Sequence, residues 1–429
     1  MKLAIIAGGK GTRLGFKDIP KPMVRLNGIP VIEYQILLAK KYGLNEIFIL
    51  TGHLGNVIED YFGDGNKWKV KIKYIKETFP LGTSGSVKQL ESIIDEDFMV
   101  FYGDTVMDIN LKKMISFHKK NNGIGSLLIH PNDHPYDSDL IELDYNSNMV
   151  TSIHSKPHGN KLLSNKVNAA LYILSPKIFK YIEKNKSSDF GKDIFTKLIN
   201  SKEKLFAYES AEYIKDMGTS DRMIKTEGDI RNGKVKLLNS ENKRNAIFLD
   251  RDGVINKEVD NLSNISDFEL LPGVVDAIKN INESNYLAII VTNQPVISKG
   301  FCTIKDLENI HNKLEFELSK KGAYIDRIFY CPHHPDKGFE GEIESLKINC
   351  DCRKPNTGMI KEAIKKFNIN IKESFIIGDR TVDIKTGKTI KLKTVLVKTG
   401  YAGNDNKYKS VPDFIYEDLN SAINNIIKK

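Results

Sequence analysis

The chain has 429 residues, of which 40% are hydrophobic and 28% charged, with a formal net charge of +9. That length is too great for one ordinary core and points to two domains, and the composition is that of a globular protein with no apolar run long enough to span a bilayer. The basic balance raises nucleic acid as a partner, but Lys and Arg are scattered and no basic block with interleaved aromatics occurs, so a basic surface meeting phosphorylated small molecules is the more economical reading.

The first residues, 1–7, turn glycine-rich too soon for a secretory signal, so a cytoplasmic protein is expected. Residues 2–7 read as a buried strand emptying into Gly8-Gly9-Lys10-Gly11-Thr12-Arg13-Leu14. A glycine loop after a first strand lets backbone N–H groups approach phosphate oxygens. No G-K-[ST] opens a helix and the G-x-G-x-x-G spacing is absent, so it is neither a P-loop nor a dinucleotide fingerprint. Arg13 and Lys21 can add charge to a triphosphate, Lys21 being stiffened between Pro20 and Pro22.

Periodicity then alternates: helix over 30–42, strand 46–51, helix 56–62, strand 70–75, a turn over 80–85 and strand 98–102. This predicts a mostly parallel sheet flanked by helices, with ligands at the strands' carboxyl ends. The glycine loop, Leu81-Gly82-Thr83-Ser84-Gly85 and Gly103-Asp104-Thr105 all fall there. Asp104 is placed to hold a cation. Its plain alternative, a cap for the helix from Leu111, suits Asp108 or Asn110 better. His130, His134, His154 and His158 read as ordinary surface histidines of a polar loop.

These motifs, with Lys156-Pro157, Asn168 to Tyr172 and Lys215-Asp216-Met217-Gly218-Thr219, resemble the sugar-1-phosphate nucleotidyltransferases over residues 1–231. The resemblance implies in-line attack of a sugar 1-phosphate oxygen on the α-phosphorus of a nucleoside triphosphate, releasing pyrophosphate. Catalysis would be positioning and charge neutralisation. Asp104 and Asp216 would hold Mg²⁺. Arg13 and Lys21 would neutralise phosphates, beside Gly8, Gly9, Gly11 and Thr12. Gly82, Thr83 and Gly85 would border the base, and Lys156 and Asn168 would face the sugar phosphate. Ser155 departs from the Glu often found before Lys-Pro. The wording of 18–23, 28–34, 103–105 and 117–119 is most similar to heptose 1-phosphate guanylyltransferases. Physics alone does not choose guanine over another base.

Residues 232–244 are polar and weakly periodic and read as a linker. A second domain over 245–429 opens with Ala246-Ile-Phe-Leu-Asp250-Arg-Asp252-Gly253, a buried strand whose end presents two carboxylates. Such a pair calls for a divalent cation, a solvated turn being the plain alternative. A helix follows from Val274, and a strand over 286–291 ends in Thr292-Asn293-Gln294, whose hydroxyl and amide groups can hydrogen-bond a phosphoryl oxygen. Arg353-Lys354-Pro355 precedes another helix, and a strand over 374–377 ends in Gly378-Asp379. The chain has four cysteines. Cys331, His333, Cys350 and Cys352 form a closed tetrahedral set for a structural Zn²⁺, with His334 as an alternative to His333 and Cys302 left to pack.

This order resembles the haloacid-dehalogenase-like phosphatases. It implies Asp250 as nucleophile, Asp252 as general acid and base, Lys354 as neutralising cation, and Mg²⁺ held by Asp250, Asp252 through its carbonyl, and Asp379. Thr292, Asn293 and Arg353 would meet substrate. The zinc pattern and Cys-Arg-Lys-Pro look like heptose 1,7-bisphosphate phosphatases, and histidinol-phosphate phosphatases share them. Pro295-Val296 replaces the usual Ser-Gly. The fold expectation is α/β, two doubly wound domains with mostly parallel sheets. The functional expectation is a bifunctional enzyme acting on heptose 1,7-bisphosphate, then on heptose 1-phosphate with GTP. It needs Mg²⁺ in both domains and engages neither nucleic acid nor membrane; homo-oligomerisation stays open. Alternatives are the same chemistries on another sugar or base, such as mannose 1-phosphate, or a non-catalytic regulatory protein on these folds.

Overall fold

The computed structural model describes residues 1–9, 18–144 and 146–427. Contacts divide the chain into two compact units. The first gathers Met1–His130, Tyr136–His158 and Lys166–Asn239, and the second gathers Pro131–Pro135, Gly159–Asn165 and the chain from Ser240 onward. Among the described residues, no helix is long and apolar enough to cross a membrane.

The first unit contains β1 (Leu3–Ile6), β2 (Arg25–Leu26), β3 (Ile29–Pro30), β4 (Glu46–Thr51), β5 (Lys71–Lys76), β6 (Phe98–Tyr102), β7 (Thr105–Asp108), β8 (Gly125–His130), β9 (Leu140–Asp144), β10 (Met149–His154), β11 (Val167–Leu174), β12 (Leu205–Glu209) and β13 (Tyr213–Asp216). Nine of these form one sheet in the order β5-β4-β1-β6-β11-β8-β12-β10-β9. Successive residues of β1 and β4 enter opposite cores: Leu3, Ile5, Ile47 and Ile49 pack on one face, Ala4, Phe48 and Leu50 on the other. Both faces are thus covered, as a parallel sheet requires.

The α/β expectation holds, and β5-β4-β1-β6 is parallel. Beyond β6 the sheet is mixed, because β11 runs against both β6 and β8. Reversing a strand leaves its alternating burial unchanged, so the sequence pattern carries no sign of that turn. The chain leaves β1 in one lateral direction and returns to β6 on its other side, which makes the β1/β6 boundary a topological switch point. Asn110 caps the Leu111–Asn121 helix through its side chain, leaving Asp104 free of that duty. His134 is buried rather than on the surface.

The stretch read as a linker is partly structured. It forms a helix at Lys234–Leu237 with Lys234 and Val235 buried, and Asn239 donates to Asp108 at 2.6 Å.

The second unit holds β14 (Asn245–Leu249), β15 (Tyr286–Asn293), β16 (Arg327–Cys331), β17 (Phe375–Gly378), β18 (Lys393–Val397) and β19 (Phe414–Tyr416). They form one sheet in the order β16-β15-β14-β17-β18-β19, every pair parallel. Its switch point lies at β14, whose residues Ala246 to Leu249 are wholly buried. The loops after β14, β15 and β17 therefore open on one crevice.

Candidate active sites

In the first unit, β13 pairs antiparallel with β7 so that Asp216 lies opposite Thr105. Met217 donates its amide to the Asp104 carbonyl at 2.8 Å. This register brings together the strand ends carrying Asp104 and Asp216, the two carboxylates expected to hold a cation. Lys21, at the start of the Lys21–Met23 turn, forms an ion pair with Asp104. Gly8 and Gly9 follow β1 at the same switch point. Gly11, Thr12 and Arg13 lie outside the described residues.

Sequence reasoning missed the partner of Asp216. Arg222 donates to both Asp216 oxygens at 2.9 Å and to Asp137 Oδ2 at 2.5 Å. Burial alone would lower its pKa, but Asp216 and Asp137 outweigh that and raise it. Asp137 also takes the Lys156 ammonium on its backbone carbonyl, and Asp139 takes the Lys156 amide at 3.4 Å and, through its carbonyl, the Asn168 amide at 2.9 Å. Asn168 sits where the β11–β8 register shifts between Asn168 and Tyr172, with Ala170 at a φ of +55°. That bulge re-aims the strand at the residues expected to face the sugar phosphate.

Gly82, Thr83 and Gly85 open the Gly82–Lys88 helix. Gly82 has a φ of +71°, and a Cβ there would run into the Ser188 carbonyl. Thr83 Oγ1 donates to Asp189 at 2.8 Å and accepts from the Phe190 amide at 2.9 Å. These residues are therefore engaged with the 186–190 segment, a packing duty the base-bordering expectation did not include.

In the second unit, Asp250 leaves β14, Lys354 arrives from the loop before the Gly358–Phe367 helix, and Asp379 leaves β17. Lys354 Nζ lies 2.9 Å from Asp250 Oδ2 and 2.6 Å from Asp383 Oδ1. All four side chains are buried. Burial pulls the Lys354 ammonium down, but Asp250 and Asp383 outweigh it and raise its pKa. Asp383 was not anticipated. It stands in the first turn of the Thr381–Ile390 helix, four residues after Asp379, and that helical spacing was the available signal.

Asp252 turns elsewhere. Arg251, fully buried, donates to its two oxygens at 2.9 and 3.0 Å. Asn256 and Gln294 add donors at 2.9 and 2.8 Å. Burial opposes the charge, yet Arg251 and these donors hold the carboxyl below its usual range. Arg251 also meets His311 at 3.3 Å. Burial and then Arg251 push that imidazole down to about 3, so it is neutral. Thr292 is buried. Asn293 donates to the Lys354 carbonyl at 3.0 Å and accepts from its amide at 2.9 Å, so its amide group positions Lys354 rather than standing free for a phosphoryl oxygen. A cleft of about 510 Å³ opens here, lined by Asp250, Asp252, Thr292, Asn293, Arg353 and Lys354 among others.

Comparison with known proteins matches the nucleotidyl transferase family to residues 2–233. The chain belongs to that family. A HAD-hydrolase-like family matches residues 351–422. The D-glycero-alpha-D-manno-heptose-1,7-bisphosphate 7-phosphatase of Photorhabdus laumondii is 42% identical over 161 residues, covering 37% of this chain and 86% of that protein. The D-glycero-beta-D-manno-heptose-1,7-bisphosphate 7-phosphatase of Pasteurella multocida is 39% identical over 158 residues, 37% of this chain and 83% of that protein. The crystal structure of HddC from Yersinia pseudotuberculosis complexed with GMP-PN is 27% identical, covers 53% of this chain and 99% of its own, and has a TM-score of 0.47. The protein is thus an enzyme with a nucleotidyltransferase unit and, fused to it, a phosphatase unit.

Two clusters of the phosphatase unit fit metal ions. Asp250, Asp379 and Asp383 offer ligand oxygens all within 4.8 Å of one another, and Asp379 Oδ1 is buried without a hydrogen-bond partner among the described residues. Burial, then Asp250 and Asp383, push Asp379 up to about 8. Three carboxylates facing one ammonium suit a hard divalent cation such as Mg²⁺. The chain closes round this acid: Gly253 at φ +75° and Gly400 at φ +58° both lie where a Cβ would strike Asp379 Oδ2. The expectation gives Asp252 its part in holding the cation through the backbone carbonyl, which leaves its side chain to Arg251, and Asp383 joins Asp250 and Asp379 in the acidic cluster.

Cys331, His333, Cys350 and Cys352 also converge within 4.8 Å. Their sulfur–sulfur distances run from 3.0 to 3.5 Å, and His333 Nδ1 faces Cys352 at 3.2 Å. Three thiols and one imidazole at such spacing fit a closed zinc site. His334 instead accepts the Asp336 amide at 3.2 Å. Arg353, beside Lys354, donates its amide to Cys350 at 3.4 Å and its guanidinium to the His333 carbonyl at 3.1 Å.

Proposed function

We propose that the chain is a bifunctional enzyme of nucleotide-sugar synthesis, with functional domains over 1–231 and 245–429. In this reading the phosphatase unit removes the 7-phosphate from D-glycero-D-manno-heptose 1,7-bisphosphate. The nucleotidyltransferase unit then joins the resulting heptose 1-phosphate to a guanylyl group from GTP, releasing pyrophosphate. The observation that carries it is the pairing, on one chain, of two switch-point sites whose chemistries run in series. The 42% identity to a heptose-bisphosphate phosphatase over 86% of its length supports the sugar. The guanylyl assignment is supported by the sequence resemblance set out above.

In the phosphatase unit, an oxygen of Asp250 attacks phosphorus and forms an aspartyl phosphate, the bond to the sugar oxygen breaking as that oxygen takes a proton from Asp252, which must first gain that proton against the pull of Arg251. Water then attacks phosphorus, gives a proton back to Asp252, and frees Asp250. Lys354 offsets the nucleophile's charge, and Arg251 with Asn256 and Gln294 orients Asp252. A Mg²⁺ held by Asp250, Asp379 and Asp383 would add charge neutralisation at the phosphoryl oxygens. The Cys331, His333, Cys350 and Cys352 set would hold a structural Zn²⁺ that fixes the Arg353-Lys354 segment.

In the nucleotidyltransferase unit, Asp104 and Asp216 would hold Mg²⁺, and Lys21 would exchange Asp104 for triphosphate oxygens. The substrates place the enzyme in the cytoplasm, where nucleoside triphosphates are held. The test is a matrix of four nucleoside triphosphates against several sugar 1-phosphates scored by pyrophosphate, beside phosphate release from the bisphosphate. Turnover confined to GTP with heptose 1-phosphate is the expected pattern. No phosphate from the bisphosphate would remove the first step.

A further inference from the structure

We infer that Asp139 accepts a hydrogen bond from a hydroxyl of the sugar 1-phosphate and so helps select the sugar; this rests on the nucleotidyltransferase reading above. The segment from Asp137 to Asp139 is the hub of that unit's site. Asp137 accepts from the Lys156 ammonium through its carbonyl and from Arg222 through Oδ2, and Arg222 in turn grips Asp216. The Ser138 carbonyl stands 2.7 Å from His158 Nε2. The Asp139 carbonyl takes the Asn168 amide at 2.9 Å, and Asp139 Oδ1 takes the Lys156 amide at 3.4 Å.

One acceptor is left over. Among the described residues Asp139 Oδ2 makes no hydrogen bond, although the side chain is only half exposed. The neighbouring carboxylates are engaged: Asp137 by Arg222, and Asp189 by Thr83 and by the amides of Gly191 and Lys192. A Cβ on Gly191 would stand 2.7 Å from Asp139 Oδ2, so the absence of a side chain there keeps this oxygen uncovered. Ser155, next to Lys156, carries no charge.

An ionised carboxylate only accepts hydrogen bonds. Beside Lys156 it would repel the substrate's phosphate, which is also an acceptor, but it pairs well with a hydroxyl donor. A site built around such an acceptor discriminates against an analogue lacking the hydroxyl, because the half-buried carboxylate is then left without its partner. One charge-assisted bond corresponds to a discrimination of about 10- to 100-fold.

The experiment uses the full chain and the variants Asp139→Asn and Asp139→Ser, measuring pyrophosphate release with GTP, heptose 1-phosphate and its singly deoxygenated analogues. Asparagine keeps an oxygen for the Lys156 amide and replaces the free acceptor with a donor, so it separates the packing role from the recognition role. The expected result is a KM for the sugar phosphate raised about 10- to 100-fold in Asp139→Asn, with kcat and the KM for GTP within about twofold, and a smaller rise in Asp139→Ser. One deoxy analogue should be poor for the unaltered enzyme yet no poorer relative to heptose 1-phosphate in Asp139→Asn. An unchanged sugar-phosphate KM, or an equal rise in the KM for GTP, overturns the inference. An unaltered enzyme that releases no pyrophosphate from any sugar 1-phosphate and nucleoside triphosphate overturns the underlying reading instead, and this inference with it.

Discussion

Removing magnesium should make the phosphatase unit lose stability as pH rises through neutrality. Asp379 is fully buried, and with no cation beside it burial, Asp250 and Asp383 move its carboxyl from 3.8 to about 8. The folded form then keeps a proton that the unfolded form has already released, so stability falls with rising pH until the folded group itself ionises. His311 works in the opposite sense. Its imidazole is held neutral, down to about 3 from 6.5, so it contributes stability above 6.5 that is lost on acidification. His311 therefore leaves the window from about pH 6.5 to 8 clear, and Asp383, pushed up to about 7 by burial and then Asp250, adds to the fall over its lower part. Across it a single group with these values changes stability by about 1–2 kcal/mol. For a unit of this size that is about 2–6 °C in Tm. Calorimetry of the full chain in magnesium-free buffer, zinc retained, should show one transition falling by that amount. Added Mg²⁺ should abolish the fall, and Asp379→Asn should flatten it without the metal. A transition equally steep in Asp379→Asn would refute the assignment of the proton to this carboxyl.

Three further outcomes separate the two units. Lys354→Ala removes the ammonium between Asp250 and Asp383, so phosphate release should fall by about 10³-fold or more while pyrophosphate release from GTP and supplied heptose 1-phosphate stays within about twofold. Asp104→Asn should do the reverse, cutting pyrophosphate release by about 100-fold or more and leaving the phosphatase intact. Cys352→Ser breaks the thiolate set; metal analysis should show zinc lost from the chain, with the phosphatase transition lowered by several degrees. A variant that keeps its zinc would show that Cys352 is not a ligand.

The strand ends were legible because a buried parallel strand is a continuous apolar run, and the first polar residue after it marks the crevice. Ala246 to Leu249 before Asp250 and Phe98 to Phe101 before Asp104 are of this kind, and all are buried. Residues that act through distant partners were not legible. Asn293 looks in sequence like a free amide at a strand end, yet its group meets Lys354, 61 residues away. Arg251 looks like a solvated turn residue between two aspartates, yet it is wholly enclosed and faces Gln294 and His311. Arg222 lies in a helix whose other residues are mostly polar, and nothing local marks it as the partner of Asp216 and Asp137. Direction was also hidden: the burial alternation of β11 reads the same whether it runs with β6 or against it.

Both sites answer the same electrostatic problem. Carboxylates gathered at strand ends repel, and a chain must fold before its cations arrive. Lys21 meets Asp104, Arg222 meets Asp216 and Asp137, Arg251 meets Asp252, and Lys354 meets Asp250 and Asp383. Each built-in cation holds its carboxylate in place through a charge-assisted contact. Asp379 is the exception. It has an amide from Tyr401 at 2.8 Å on Oδ2 and, among the described residues, no hydrogen-bond partner on Oδ1, and Arg380 beside it is drawn to Glu258 at 2.9 Å. An acid left short of a counter-charge in a closed pocket is costly to ionise, and the cost is recovered only when an external cation binds. The carboxylate that the fold leaves uncompensated is thus the one through which metal binding and stability are most strongly coupled, which is why the pH slope should vanish when magnesium is restored.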